Sequence, residues 1–206
     1  MFITFEGIEG CGKTTQIELL YTYLDSSGHR VIKTREPGGT AFGESLRNAF
    51  LHTEMKVYPL SELLVFMAMR AQHVDELILP ALKEGTIVLC DRFTDASYAY
   101  QGYGRGIDLN VIETLNKLVV KGIKPDLTIL LDCPVEKGLT RKAQSASMDR
   151  FEKEELSFHG KIKRGCEKLV KEDPKRFFVV DGTLETNTIH RTIRKKVEDL
   201  LKHHGI

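Results

Sequence analysis

A run of residues near the amino terminus has the types and spacing of a phosphate-binding loop. Gly7, Gly12, Lys13 and Thr14 fit the pattern G-x-x-x-x-G-K-[ST] without a gap. In such a loop, glycines allow a tight turn that points successive backbone N–H groups at phosphate oxygens. The lysine adds charge toward the β and γ phosphates, and the threonine hydroxyl is a ligand for Mg²⁺. The stretch predicts nucleotide binding through Gly7, Ile8, Glu9, Gly10, Cys11, Gly12, Lys13, Thr14 and Thr15.

A second candidate for the metal is Asp91, which ends the apolar run 86–90. In open α/β sheets, ligands bind beyond the carboxyl ends of the strands. A carboxylate there, beside a phosphate loop, indicates a partner for Mg²⁺ or its bound water. The alternatives are a helix cap and a salt bridge to Arg92.

Three further groups of residues have types suited to a second ligand. Arg35 follows another strand and offers a planar fork to a phosphate, with Gly38 and Gly39 allowing close backbone approach. Phe66 and Arg70 are one turn apart on a long helix, where an aromatic ring and a guanidinium suit a planar base. The polar, glycine-rich segment after Asp91 predicts a ligand loop and contains Arg92, Ser97, Tyr100, Gln101 and Arg105. The alternatives are an ordinary turn with a surface arginine and an amphipathic helix.

The elements that must hold these residues follow from the pattern of apolar runs. Five short runs, near 2–5, 31–32, 86–90, 127–131 and 177–180, alternate with helical patterns. Runs that do not alternate with polar residues are typical of strands buried on both faces of a parallel sheet. The pattern predicts an α/β fold in three layers, a five-stranded parallel sheet with helices on both faces. We expect residues 1–206 to form a single domain.

Two helical patterns and one polar segment bear on the candidate site. The predicted long helix runs from about Leu60 to Lys83 and has an apolar face made of Leu60, Leu64, Met67, Ala71, Val74, Ile78 and Ala81. The polar, basic segment from Thr140 to Arg150 is predicted to be a mobile flap that closes on phosphates and excludes water. Arg141 and Arg150 flank it.

Composition narrows the class of protein. The 206 residues are 41% hydrophobic, and 30 Lys and Arg residues face 29 Asp and Glu residues for a formal charge of +1. This balance argues against a broad nucleic-acid surface. No apolar run approaches the roughly 20 residues that span a bilayer, so we expect no membrane association. Four scattered cysteines and a first strand without a preceding signal peptide favour a cytoplasmic protein.

Taken together, the motifs resemble those of bacterial-type thymidylate kinases, within the P-loop nucleoside monophosphate kinases. The resemblance rests on several stretches, which occur in the family's order and span most of the chain. They are FEGIEGCGKTT at 5–15, REPGGT at 35–40, RAQH at 70–73, DRF at 91–93, AYQGYGR at 99–105 and DRFE at 149–152. The resemblance implies transfer of the ATP γ-phosphoryl group to dTMP, with Mg²⁺, by a homodimer packed through helices.

The same resemblance implies a role for each candidate residue. Arg35 would hold the dTMP phosphate, beside a Glu36–Pro37 peptide bond in the cis form. Phe66 would stack on thymine, with Arg70 and Gln101 bonded to it and Ser97 nearby. Glu9 would lie near the dTMP phosphate and sugar, Tyr100 would crowd the 2′ position, and Arg92 would bridge the phosphates. The implied catalytic residues are Lys13, Arg92, Arg141 and Arg150, and the implied metal ligands are Thr14 and Asp91.

Departures from the family pattern make the flap the predicted source of positive charge for the transferring group. Met69 stands where many bacterial members have Asp, and Ala143 and Ser145 stand where many carry flap arginines. The phosphate loop has no arginine either, so Arg141 and Arg150 are left to neutralise the transferring group.

Two other classes of protein share parts of this pattern. One is a kinase for another nucleoside monophosphate or a deoxynucleoside. Phe66, Arg70 and Gln101 favour a pyrimidine as the base of the acceptor. The other is a nucleotide-binding switch without a small acceptor. The guanine-reading motif Asn-Lys-x-Asp is missing, since the string from Asn116 to Val119 lacks the Asp.

Overall fold

Five parallel strands form one sheet at the centre of the structure, a computed structural model that describes residues 1–143 and 149–205. The order across the sheet is β2-β3-β1-β4-β5, and each neighbouring pair is parallel. This confirms the predicted α/β class. The strands are β1 (Phe2–Glu6), β2 (Val31–Arg35), β3 (Ile87–Asp91), β4 (Leu127–Asp132) and β5 (Phe177–Asp181).

Helices connect the strands, and several begin at residues that cap them. The Thr40 side chain accepts a hydrogen bond from Gly43 N at the start of α2, and Asp108 accepts one from Asn110 N at the start of α6. No helix among the described residues is long and apolar enough to cross a membrane. Two π-helical segments, Val74–Ile78 and Tyr98–Gly104, follow α3 and α5. The α-helices are α1 (Lys13–Ser26), α2 (Ala41–Leu51), α3 (Pro59–His73), α4 (Leu79–Lys83), α5 (Thr94–Ser97), α6 (Leu109–Val120), α7 (Val135–Ala143), α8 (Leu156–Glu172) and α9 (Thr186–His204).

The sheet buries both of its faces, as the unalternating runs predict. Ile3 and Phe5 of β1 lie in one apolar cluster, which includes Leu20 of α1. Phe2, on the other face of β1, lies in a second cluster together with Val74 and α6 residues. Successive side chains of a strand point to opposite faces, so helices cover both sides of this sheet.

The long helix differs from its prediction in two ways. Between α3 and α4, Val74–Ile78 form a π-helical turn in which Leu79 N donates to Val74 O. Pro80, which has no N–H to donate, is the second residue of α4, after Leu79. Two residues of the predicted apolar face, Leu60 and Leu64, are 53% and 47% exposed. Met67, Val74 and Ile78 of the predicted face are buried. The other buried residues of α3 lie beside that face and are Glu62, Leu63, Phe66, Met69, Arg70 and His73.

The strand register brings the candidate residues to one edge. Asp91 pairs with Phe5 of β1 on one side and with Arg35 of β2 on the other. The phosphate loop follows β1, whose neighbours are β3 and β4, so it begins beside the carboxyl ends of these two strands.

Candidate active site

A cavity of about 1090 Å³ opens at this edge of the sheet. It extends from the phosphate loop to α3, and its volume is at the upper end of the range for ligand pockets. Of the predicted site residues, Gly7, Ile8 and Arg150 are absent from its lining. Those that line it are Glu9, Gly10, Cys11, Gly12, Lys13, Thr14, Thr15, Arg35, Glu36, Pro37, Phe66, Arg70, Asp91, Arg92, Ser97, Tyr100, Gln101 and Arg141.

The phosphate loop has the backbone conformation that its glycines predict. Gly7 has a φ of 135°, and a Cβ there would lie 2.6 Å from the Leu131 carbonyl oxygen. The buried Lys13 side chain folds back over the loop and donates to Gly7 O at 3.1 Å and Ile8 O at 3.0 Å. Gly7 and Ile8 therefore lie behind the loop, where their carbonyls hold the lysine, and the loop N–H groups remain for a ligand.

Thr14 and Asp91 come together as the sequence predicts. The Thr14 hydroxyl donates to Asp91 Oδ2 at 3.3 Å, and Asp91 Oδ1 is buried without a hydrogen-bond partner in the described part of the chain. No group of three or more His, Cys, Asp or Glu residues is poised to hold a metal within the described ranges. One carboxylate and one hydroxyl fit Mg²⁺, which is usually completed by substrate phosphates and water. The orphaned oxygen on Asp91 is where such an ion would relieve the cost of burial.

Arg92, Glu9 and Tyr100 form a charged group between the two ends of the cavity. Arg92 Nη2 donates to Glu9 Oε1 at 3.0 Å, and the Tyr100 hydroxyl donates to the same oxygen at 2.5 Å. Burial alone would raise the pKa of Glu9, but the charges of Arg92 and Lys13 hold that pKa well below its usual range. The guanidinium also lies 4.7 Å from the centre of the Tyr100 ring. The ionised Glu9 therefore holds the Arg92 guanidinium in place at the cavity, and the pair carries no net charge.

Arg35 lies at the exposed rim, where Glu44 holds it. Arg35 Nη2 donates to Glu44 Oε2 at 2.8 Å, and Gly39 N donates to the other oxygen. The Glu36–Pro37 peptide is cis, as the resemblance implies. A second arginine, Arg47, lines the same part of the cavity and donates to the Pro37 carbonyl at 2.6 Å. Two guanidinium groups therefore face this end of the cavity.

Arg70 is the most completely bonded residue of the site. Its Nε donates to Glu36 Oε2 at 2.6 Å, and its Nη2 donates to the Phe93 carbonyl at 2.9 Å. Its Nη1 donates to Ser97 Oγ and Asn116 Oδ1. A guanidinium has five N–H groups, and one of them, on Nη2, has no partner among the described residues. Ser97 is consequently a partner of Arg70 in this structure.

Comparison with known proteins identifies the family to which this chain belongs. A family model described as "Thymidylate kinase" matches residues 5–193. The chain belongs to the thymidylate kinase family. It is therefore an ATP-dependent nucleoside monophosphate kinase, and the motif resemblance is confirmed.

Individual members are similar over nearly their whole length. A thymidylate kinase from Trichlorobacter lovleyi is 50% identical over 204 residues, covering 96% of each chain. One from Kosmotoga olearia is 45% identical and covers 100% of this chain and 99% of its own. A crystal structure of thymidylate kinase from Ehrlichia chaffeensis superposes with a TM-score of 0.81 at 39% identity, covering 96% of this chain and 98% of that one. The predicted P-loop kinase fold is thereby confirmed.

The two flap arginines lie in different places. Arg141, in the last turn of α7, lines the cavity and donates to the Gly182 carbonyl at 3.0 Å. Arg150 lies over the Phe50 ring at 4.5 Å, with Nη2 3.8 Å from Glu62. The predicted flap begins inside α7, and its residues 144–148, including Ser145, lie outside the described residues.

Three residues near the site have no part in the sequence predictions, and a fourth, Phe151, enters them only within the DRFE motif. The sequence gives no signal for Arg47 or Glu62. Arg47 has the pattern of a surface residue on an amphipathic helix, and Glu62 has that of a single charge on a helix face. Phe151 packs against Phe66, with ring centres 5.9 Å apart, but its signal is only one aromatic in a polar segment. Asn116 has the clearest signal, because it lies one turn after the buried Ile112 on the inner stripe of α6.

Proposed function

We propose that ATP and dTMP occupy this cavity together, with ATP on the phosphate loop and dTMP toward α3. As a member of the thymidylate kinase family, the enzyme transfers the γ-phosphoryl group of ATP to dTMP and releases dTDP and ADP. One observation supports the placement above all: the phosphate loop and the Arg70–Gln101 pair line one continuous cavity. Phosphoryl transfer needs both nucleotides held in line, and such a cavity allows it.

The α3 end carries hydrogen-bonding groups that match thymine. Arg70 has one N–H left for a ligand, which suits the O4 carbonyl of the base. Gln101 lines the cavity nearby and is 1% exposed, so its amide suits the neighbouring N3–H. Phe66 offers its ring face for stacking, with Ser97 holding Arg70 from behind. An aromatic platform with convergent polar groups is the usual form of a base pocket.

Between the base and the phosphates, Tyr100 and Glu9 contact the sugar in our proposal. The Tyr100 hydroxyl is held by Glu9, so its ring is fixed where a ribose 2′-hydroxyl would need space. The pair therefore favours a deoxyribose. Glu36 and Pro37 shape the turn that brings Arg35 and Arg47 to the acceptor phosphate.

The chemical step joins an acceptor phosphate oxygen to the γ phosphorus and breaks the bond between that phosphorus and the β–γ bridging oxygen, whose electron pair leaves with ADP. Lys13 and Arg92 carry the positive charge that stabilises the moving group. Thr14 and Asp91 would hold Mg²⁺, which when bound neutralises charge on the β and γ phosphates. Arg141 and Arg150 are the proposed flap contributors, and Arg141 already lines the cavity.

We also propose that the chain is one domain, with a flap at about 140–150, and that it forms a homodimer in the cytoplasm. The exposed apolar residues Leu60 and Leu64 on α3 and Leu118 on α6 support a dimer through these helices. Four free, buried cysteines fit a reducing compartment. Sedimentation at graded concentrations tests the dimer.

The substrate is tested by assaying dTMP, dUMP, dCMP and dGMP with ATP and Mg²⁺. We expect dTMP to have the highest kcat/KM and Lys13→Ala to abolish turnover of it. A preference for another monophosphate would overturn the substrate. Nucleotide hydrolysis without any phosphorylated acceptor would point to a switch instead.

A further inference from the structure

Glu62 is a buried carboxylate behind the base pocket. It lies on α3, one turn before Phe66, and is 0% exposed. It is absent from the cavity lining, so it does not contact a ligand in the cavity. Burying a carboxylate costs free energy unless other groups pair with it or donate hydrogen bonds to it. The contacts of Glu62 therefore indicate its role.

Those contacts are two guanidinium groups and one amide. Glu62 Oε1 accepts from Gln101 Nε2 at 2.9 Å and from Arg105 Nε at 3.3 Å. Glu62 Oε2 lies 3.2 Å from Arg105 Nη2 and 3.8 Å from Arg150 Nη2. Both guanidinium groups lie within salt-bridge distance of Glu62 Oε2, which accepts no hydrogen bond from the described residues. A carboxylate can accept hydrogen bonds but has none to donate.

This chemistry decides which way the Gln101 amide faces. An amide can turn over and exchange its nitrogen and oxygen, which occupy nearly the same space. Against Glu62 only the nitrogen fits, because the amide oxygen would meet a second acceptor. The Gln101 oxygen is therefore turned from Glu62, and it accepts no hydrogen bond from the described residues.

We propose that Glu62 is a positioning residue that sets the base specificity of the pocket by fixing the amide of Gln101. The inference rests on the proposed function, in which Gln101 and Arg70 face the base. The pocket then offers one acceptor, from Gln101, beside one donor, from Arg70. Thymine and uracil match this pair with N3–H and O4. Cytosine opposes it at both positions, with a bare N3 and an amino group.

The test is to replace Glu62→Gln and measure kcat/KM for dTMP, dUMP and 5-methyl-dCMP. A glutamine at 62 can donate or accept, so Gln101 is free to turn and present its nitrogen to cytosine N3. Buried polar groups left unpaired give a large discrimination, so we expect the preference for dTMP over 5-methyl-dCMP to fall by about tenfold or more. The preference for dTMP over dUMP depends on the 5-methyl group and stays within about twofold.

Glu154→Gln is the matched control. Glu154 also pairs with Arg105, at 2.7 Å, but does not touch Gln101. It removes one carboxylate from the same cluster, so we expect both substrate ratios to stay as in the parent. An equal loss of discrimination in this variant would show a general charge effect and overturn the proposal.

Glu62→Asp covers the case in which Glu62→Gln does not fold, as judged by its thermal melt. It keeps the charge but is one methylene too short to hold Gln101, so the dTMP to 5-methyl-dCMP ratio should fall here too. An unchanged ratio in a folded variant overturns the role of Glu62. Gln101→Ala separates the two proposals. If Gln101→Ala loses the preference for dTMP over 5-methyl-dCMP and the Glu62 variants keep it, the proposed base pocket is supported and the role of Glu62 is wrong. If Gln101→Ala also keeps the preference, both proposals are wrong.

Discussion

Arg70 gives a prediction whose size follows from its surroundings. Replacing Arg70→Met keeps an unbranched apolar stem but removes every N–H. The pair of Arg70 and Glu36 is buried, with side chains 4% and 5% exposed and 2.6 Å between the atoms. Burial alone would raise the pKa of Glu36, but Arg70 and His73 hold that pKa below its ordinary value. The substitution leaves Glu36 as a buried charge with only His73 beside it.

Breaking such a buried pair from one side destabilises a protein by about 3–5 kcal/mol. For a chain of this size each kcal/mol lowers the melting temperature by about 2–4 °C, so we expect a fall of about 6–20 °C. The lost contact to the base should also lower kcat/KM for dTMP by about tenfold or more. Thermal melts and urea titrations measure the first effect, and initial rates measure the second.

The double variant Glu36→Gln with Arg70→Met is the control. Glutamine removes the stranded charge and keeps a polar contact to His73, so the two substitutions should be less than additive by about 1–3 kcal/mol. Additivity within about 0.5 kcal/mol would refute the reasoning. A loss below about 1 kcal/mol for Arg70→Met alone would refute it equally.

Three other predictions concern the base, the flap and pH. Phe66→Ala should raise KM for dTMP by about tenfold with a smaller change in kcat, because it removes a stacking surface. Arg141→Ala should lower kcat by about a hundredfold or more and Arg150→Ala by less, since only Arg141 lines the cavity. Burial and the nearby Asp95 raise the pKa of Glu6 to about 8 from an ordinary 4.5. Between these two pH values the folded state therefore holds a proton on Glu6 that the unfolded chain has lost. Stability should therefore fall by about 3–5 kcal/mol from pH 4.5 to 8, and by much less in Glu6→Gln, as melts across this range would show.

Local signals explain what the sequence predicts well. The phosphate loop is a pattern of consecutive residues with its own conformation, as the φ of Gly7 shows. Asp91 is marked by the end of an apolar run, and strand ends share one edge of a parallel sheet. These features need no knowledge of how the helices pack.

Features that depend on packing between distant elements are not predictable in this way. Glu62 and Asn116 are polar residues on helices, and only the structure shows that each is buried against a group from another element. Leu60 and Leu64 fit a helical stripe, yet the neighbouring side of α3 faces the core. The π-helical turn before α4 shifts the stripe further, and hydrophobic periodicity alone does not reveal such a turn.

In the proposed arrangement, the end of β2 places two consecutive residues at opposite ends of dTMP. Arg35 would contact the phosphate, while Glu36 would act on the base through Arg70, to which it is hydrogen-bonded. In the proposed arrangement, a single peptide therefore sets the span between phosphate and base. In this proposal, that span matches the length of one nucleoside monophosphate. A free base would not reach the phosphate end, and the product, longer by one phosphate, no longer fits it as an acceptor.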